Sequence, residues 1–227
     1  LLSVCCGRLL EEAPYLSRCS DNKTAMLIRP RNYAVRWPYM QVNRKEMQAW
    51  MVFDIDHDHR SAPNPYIWQD EGLPPPNLIV RNRTSNKAHL FYAIVPVCTS
   101  DQARSKPIQY LKAIYHALAL RLEADLSYSG PVAKTPFHPW WQTTELHRGV
   151  YELNELADSL ELETRGHGFV KILMSLIPET VLYSNIPIDT HMTSSTKKEK
   201  RAAIRTLNAV WRVSLIAKIP TPRISRL

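Results

Sequence analysis

An apolar run ending in two carboxylates one residue apart constrains this chain more than any other stretch. Residues 49–59 read Ala-Trp-Met-Val-Phe-Asp-Ile-Asp-His-Asp-His. Val52, Phe53 and Ile55 favour a strand, and strand side chains alternate between faces. Asp54 and Asp56 therefore share one face, while Phe53 and Ile55 point to the other, into a core. Carboxylates held side by side repel each other and lose hydration, which is tolerable when a divalent cation sits between them. A lone Asp-x-Asp more often marks a strand that frays into water, here with Asp58, His59 and Arg60 as its solvated end. The segments that follow favour the cation.

Two further strands come next. Residues 77–80 and 88–95 flank the polar stretch Arg81-Asn82-Arg83-Thr84-Ser85-Asn86-Lys87, which reads as a hairpin or a site loop. Alternation puts His89, Phe91 and Ala93 on one face and Leu90, Tyr92 and Ile94 on the other. Pro107 then opens a helix in which Ile108, Leu111, Tyr115, Leu118 and Leu122 recur at helical spacing as a buried stripe. It ends near Asp125, before a turn from Ser127 to Gly130. Upstream, residues 26–29 and 34–42 read as short strands around a turn at Pro30, and residues 1–20 as loosely ordered. Residues 60–76 form a loop, because Pro63, Pro65 and Pro74 to Pro76 sustain neither helix nor central strand. Tyr66, Ile67 and Trp68 anchor it. Residues 151–162 read as a short helix and Lys197 to Ala217 as a basic one. The class is α+β.

Of the 227 residues 44% are hydrophobic, enough for a real core, and the formal net charge is +8. That sign suits a polyanionic partner. Arg29, Arg31, Arg36, Arg81, Arg83, Lys197, Lys198 and Arg201 are the candidate nucleic-acid contacts, the first three around the approach to the Asp pair and the last three in a basic C-terminal stretch. Four cysteines form no Cys-x-x-Cys pair and give no zinc signature, which reads as a reduced, cytosolic protein. The opening Leu-Leu-Ser-Val-Cys-Cys lacks the basic start of a leader, no segment reaches the length of a membrane span, and the missing Met reads as a fragment or processed start.

Two metals about 3.5–4 Å apart can clamp the attacking and leaving oxygens of a phosphoryl transfer. Asp54 and Asp56 supply two ligands. Asp125 is the leading candidate for a third, and Asp58 competes with it. Ser85 and Lys87 with His89 make a plausible triphosphate cradle. Lys134 and His138 are further candidates for phosphate or template contacts, though each alone is more often a solvated Lys or a loop His.

These residues carry a resemblance. A DxD strand, then a Ser-x-Lys-x-His strand, then a helix and an Asp resembles the three motifs of the archaeo-eukaryotic primase superfamily. More narrowly, several short stretches resemble the replication initiators (Rep) of theta-replicating colicin-type plasmids. They are residues 19–22 upstream of 33–43, Asp54-Ile55-Asp56, Pro75-Pro76-Asn77, residues 88–92, Ala124-Asp125-x-x-Tyr128-x-Gly130, and Lys134-Thr135-Pro136 with His138 and Trp140. The likeness covers roughly residues 14–155. The chain departs from the family pattern around Asn82 to Lys87, at Thr135, and beyond about residue 163.

The resemblance implies a primase that makes a short RNA primer at the plasmid origin, extended by the host DNA polymerase. It implies an RRM-like α+β archaeo-eukaryotic primase core over residues 21–155, with an added N-terminal unit and a helical, basic C-terminal segment over 156–227. It places Mg²⁺ or Mn²⁺ on Asp54, Asp56 and Asp125, makes those residues and His89 catalytic, and implies NTP substrates on a single-stranded template. Two other readings compete. His57-Asp58-His59 with Tyr110 or Tyr115 would suit a rolling-circle initiator or relaxase that nicks DNA through a tyrosine. A non-catalytic basic protein would stack bases on exposed sheet aromatics such as Phe91.

Overall fold

A computed structural model describes residues 4–22, 25–56, 62–128 and 131–160. In chain order the elements are α1 (Val4–Glu12), β1 (Leu16–Ser20), β2 (Leu27–Pro30), α2 (Arg31–Ala34), β3 (Tyr39–Gln41), β4 (Met47–Ile55) and α3 (Ile67–Asp70). They continue with β5 (Leu78–Asn82), β6 (Ala88–Cys98), α4 (Ser105–Arg121), β7 (Val132–Lys134), β8 (Trp141–Glu145) and α5 (Leu153–Ser159). The strands form two antiparallel four-stranded sheets, β2-β1-β3-β7 and β4-β6-β5-β8. The expected α+β class holds.

The second sheet is buried on both faces. On one, Trp50, Val52, Leu78, Val80, Phe91 and Ala93 pack with Met40 and Ala133 of the first sheet and with Cys5, Leu9 and Ala13 at α1. On the other, Phe53 stacks on Tyr115 of α4 with ring centres 4.8 Å apart, and meets Tyr92 edge-on. This double burial explains why β4 and β6 read as nearly continuous apolar runs rather than alternating ones. Phe91 is fully buried, so it offers no platform for base stacking.

Helix α4 begins at Ser105, which puts Pro107 in its first turn, where a missing N–H is harmless. Leu111, Leu118 and Leu122 of the expected stripe are buried, joined by Ala113, Ile114 and Ala117. The helix ends in a Schellman turn. Glu123 takes a left-handed conformation (φ 50°), Ala124 N–H bonds Ala119 O and Glu123 N–H bonds Leu120 O. The turn sends the chain back onto β4, where Asp125 N–H donates to Asp54 O at 2.8 Å.

Three expectations need correction. Residues 4–20 are not loose: α1 and β1 are formed, and Cys5, Leu9 and Cys19 lie in the core. Residues 31–34 make a helical turn, and the strand starts only at Tyr39, because Val35, Arg36 and Trp37 close that turn through backbone bonds to Arg31, Tyr33 and Ala34. Residues 67–70 form the short helix α3 inside the Pro-bracketed loop. The expected basic helix at 197–217 lies outside the described residues.

Candidate active site

The pairing of β4 with β6 builds the site. Its register sets Asp54 opposite His89 and Val52 opposite Phe91. Residues directly opposite share a face, so Asp54 and His89 project together on the side that meets the first sheet. Two positions further on, at the end of the ladder, Asp56 meets Lys87, with Nζ 2.5 Å from Oδ1. The first sheet delivers the other wall. Tyr39 of β3 pairs with Lys134 of β7, and Lys134 reaches across to Asp54.

Asp54 is nearly buried. Its Oδ1 lies 3.3 Å from His89 Nε2 and 3.7 Å from Lys134 Nζ. His89 has no exposure, and its Nδ1 accepts the Lys134 backbone N–H at 3.1 Å. An accepting Nδ1 carries no proton, so the neutral ring bears its hydrogen on Nε2, facing Asp54. Tyr128 packs edge-on against the imidazole at 5.2 Å between ring centres and donates its hydroxyl to Val132 O. Burial, with the Asp54 charge, pushes the Tyr128 phenol far up. Burial and the Asp54 charge also raise the Tyr39 phenol. Both tyrosines therefore stay neutral beside the carboxylate.

Around this line opens a cleft of about 230 Å³, lined by Tyr39, Asp54, Asp56, Asn82, Ser85, Lys87, Lys134 and Trp141. The hairpin loop forming its rim is well built. Asn82 Oδ1 accepts the N–H groups of Thr84 and Ser85, Asn82 N–H bonds Lys87 O, and Asn86 adopts φ 57°. An Asx turn and a left-handed Asn are the local chemistry that polar stretch permits.

The structure thus brings together Asp54, Asp56, His89, Ser85, Lys87 and Lys134. It does not bring in the Asp125 carboxylate. Asp125 is tied to Asp54 through its backbone, but its Oδ1 accepts from Ser127 N–H and Ser127 Oγ at 2.9 and 2.7 Å, and it does not line the cleft. The expected three-carboxylate cage is not assembled, and among the described residues no three His, Cys, Asp or Glu side chains are grouped to hold a metal ion. The reason is local: a short side chain at the start of a turn satisfies its own backbone first. Asp58, the competing ligand, lies outside the described residues.

The remaining donors fit a divalent cation in kind. Mg²⁺ is usually held by one or two carboxylates, with substrate phosphates and water completing the shell. Asp54 and Asp56 supply that pair, and both already attract cations, the lysine ammonium groups.

Other candidates sort by what they touch. Arg29, Arg36 and Arg83 are exposed, with Arg36 lying 5.1 Å over the Tyr33 ring. Arg31 donates to Glu11 O and Ala13 O, and Arg81 to Gln142 Oε1 and Asn86 Oδ1, so these two serve as structural ties. Lys134 is not a solvated lysine: it is 5% exposed. His138 accepts the Trp140 N–H beside the cleft wall. Lys197, Lys198 and Arg201 lie outside the described residues. Of the nicking-enzyme candidates, Tyr115 donates to Val52 O from within the core, which removes it as an accessible nucleophile. Tyr110 donates to Asn154, and His57 to His59 lie outside the described residues. Sequence reasoning missed Tyr39, Asn82 and Trp141 as wall residues. Only the pairing of two sheets makes them neighbours.

The sheet-flanked cleft is thus lined by a carboxylate pair and two lysines, with the oriented imidazole of His89 buried behind Asp54. Residues 11–160 match the Replicase family, and the chain belongs to it. No curated protein matches the chain. Among solved structures, the AEP domain of the cyanophage S-2L primase-polymerase is similar at 16% identity, covering 67% of this chain and 92% of that one with a TM-score of 0.49. No helix among the described residues is long and apolar enough to cross a membrane.

Proposed function

We propose that this member of the Replicase family is a plasmid replication initiator with primase activity, joining NTPs into a short RNA primer on single-stranded origin DNA for the host DNA polymerase to extend. The observation that carries the reading is the alignment of Asp54 with His89, and of Asp56 with Lys87, along one strand pair, with both acids and Lys87 lining the cleft. Acids that gather cations stand next to donors that suit phosphate oxygens.

In this reading Asp54 and Asp56 hold Mg²⁺ or Mn²⁺. Such ions, when bound, stabilise charge on phosphoryl oxygens and favour the attacking hydroxylate. His89, fully buried with Nε2 facing Asp54, orients that carboxylate from behind and reaches a phosphate oxygen only when this contact opens. Its ring orientation is set beforehand by the Lys134 N–H. Lys87 and Ser85 on the loop, and Lys134 on the wall, neutralise the triphosphate. Exposed Arg29, Arg36 and Arg83 are suited to the template backbone, a salt-sensitive contribution blind to sequence. Lys197, Lys198 and Arg201 extend that basic character along the sequence. Asp125 acts by fixing the end of β4 rather than as a ligand. The protein works in the bacterial cytoplasm.

The test is incubation with labelled NTPs, Mg²⁺ or Mn²⁺ and single-stranded template. Wild type yields short primers. Asp54→Ala or Asp56→Ala abolishes them while leaving DNA binding near normal in a mobility-shift assay. Full primer yield from either variant overturns the assignment of this site. A covalent phosphotyrosine adduct on the DNA would favour a nicking enzyme instead.

A further inference from the structure

The cleft carries a cation of its own at each carboxylate. Lys134 Nζ stands 3.7 Å from Asp54 Oδ1, and Lys87 Nζ stands 2.5 Å from Asp56 Oδ1. The two pairs differ in mobility. Lys134 is locked, with its side chain 6% exposed and its ammonium 5.9 Å from the Trp141 ring centre. Lys87 and Asp56 have side chains 38% and 32% exposed. Lys87 also follows the left-handed Asn86 at the base of a polar loop that carries Ser85 to the same cleft. Its long, flexible stem lets the ammonium swing without moving the backbone.

With two ammonium groups and two carboxylates among its lining residues, the cleft is formally neutral. A divalent cation entering alone meets Lys87 on one of its two ligands. A triphosphate entering alone meets the carboxylates. Entering together, they place the cation on the acids and the ammonium on the phosphates, and the pair carries less net charge than the triphosphate alone.

Resting on the primase reading above, we propose that Lys87 is a stand-in cation on Asp56 that keeps the metal position closed until a triphosphate draws the ammonium away. Metal and nucleotide are then admitted together, and by linkage each promotes the other to the same degree. The handover is a purely ionic exchange, with no bond made or broken. It gives the loop lysine a second role, as a gate on metal loading in the protein without nucleotide.

The test is Mn²⁺ binding to the full chain, with no nucleotide present, followed by electron paramagnetic resonance of the free ion. Lys87→Ala removes the competitor, so Mn²⁺ binds more tightly by up to about fivefold, the scale a partly exposed ion pair supports. Lys87→Arg keeps a cation on Asp56 and leaves affinity at or below the wild-type level. In an Asp56→Asn background the gain from Lys87→Ala disappears. Equal Mn²⁺ affinity in wild type and Lys87→Ala overturns the gate while leaving the primase reading intact. Failure of every variant to bind Mn²⁺ overturns both. Lys87→Arg controls for folding, since it alters neither charge nor stem length appreciably.

Discussion

Lys134 carries more of this protein than a surface lysine does. Its backbone N–H sets the His89 ring, and its ammonium faces a carboxylate that is 7% exposed. Removing one partner of a buried ion pair strands the other, at a cost of about 3–5 kcal/mol. Lys134→Met is therefore expected to lower the unfolding free energy obtained from urea melts by that amount, and adding Asp54→Asn to recover most of it. A Lys134→Met protein as stable as wild type would mean that His89 alone satisfies Asp54. Part of this residue-level picture was legible beforehand. The period of two puts Asp54 and Asp56 on one face, and the alternation around His89 marks its partners correctly. The meeting of Lys134 with Asp54 was not legible, because residues so far apart along the chain are joined only by the pairing of β7 with β3. Nor was the turning aside of the Asp125 carboxylate, which depends on one hydroxyl two residues downstream.

At the scale of elements, legibility followed length and amphipathic contrast. Helix α4 has 17 residues and a recurring apolar stripe, and β4 and β6 have 9 and 11 residues, so pattern alone finds them. Helix α1 has nine residues, with Gly7 and a Cys pair inside it. Such a segment is a poor helix in isolation and is held by the face it buries. Leu9, 1% exposed, is the centre of that contact. Leu9→Ala should cost about 2–5 kcal/mol in a chemical melt. Leu16→Ala, on the open face of β1, should stay within about 0.5 kcal/mol of wild type. Comparable losses at both positions would contradict the docking of α1. The four-residue helix α2 is too short for any periodic signal.

For the molecule as a whole, acid sensitivity should exceed what its surface charges produce. Burial pushes the His116 imidazole in α4 from 6.5 down to about 4. The native state resists its protonation and the unfolded chain does not, so the unfolded chain binds the extra proton between those values. Stability is therefore complete above pH 6.5 and falls as pH drops toward 4, by roughly 3 kcal/mol when fully developed. Denaturant melts from pH 7 to 4 should show this decline, and His116→Leu should flatten much of it. An unchanged slope in that variant would assign the effect to other groups. The antiparallel ladder of β4 and β6 has one more consequence. The same zipper that seats Trp50 and Phe91 in the core also brings an acid against an imidazole. Were it to close one notch out of step, the chemistry and the hydrophobic interior would be lost together. Folding thus proofreads the site: a molecule that packs well enough to survive in the cell has, by that fact, already aligned Asp54 with His89.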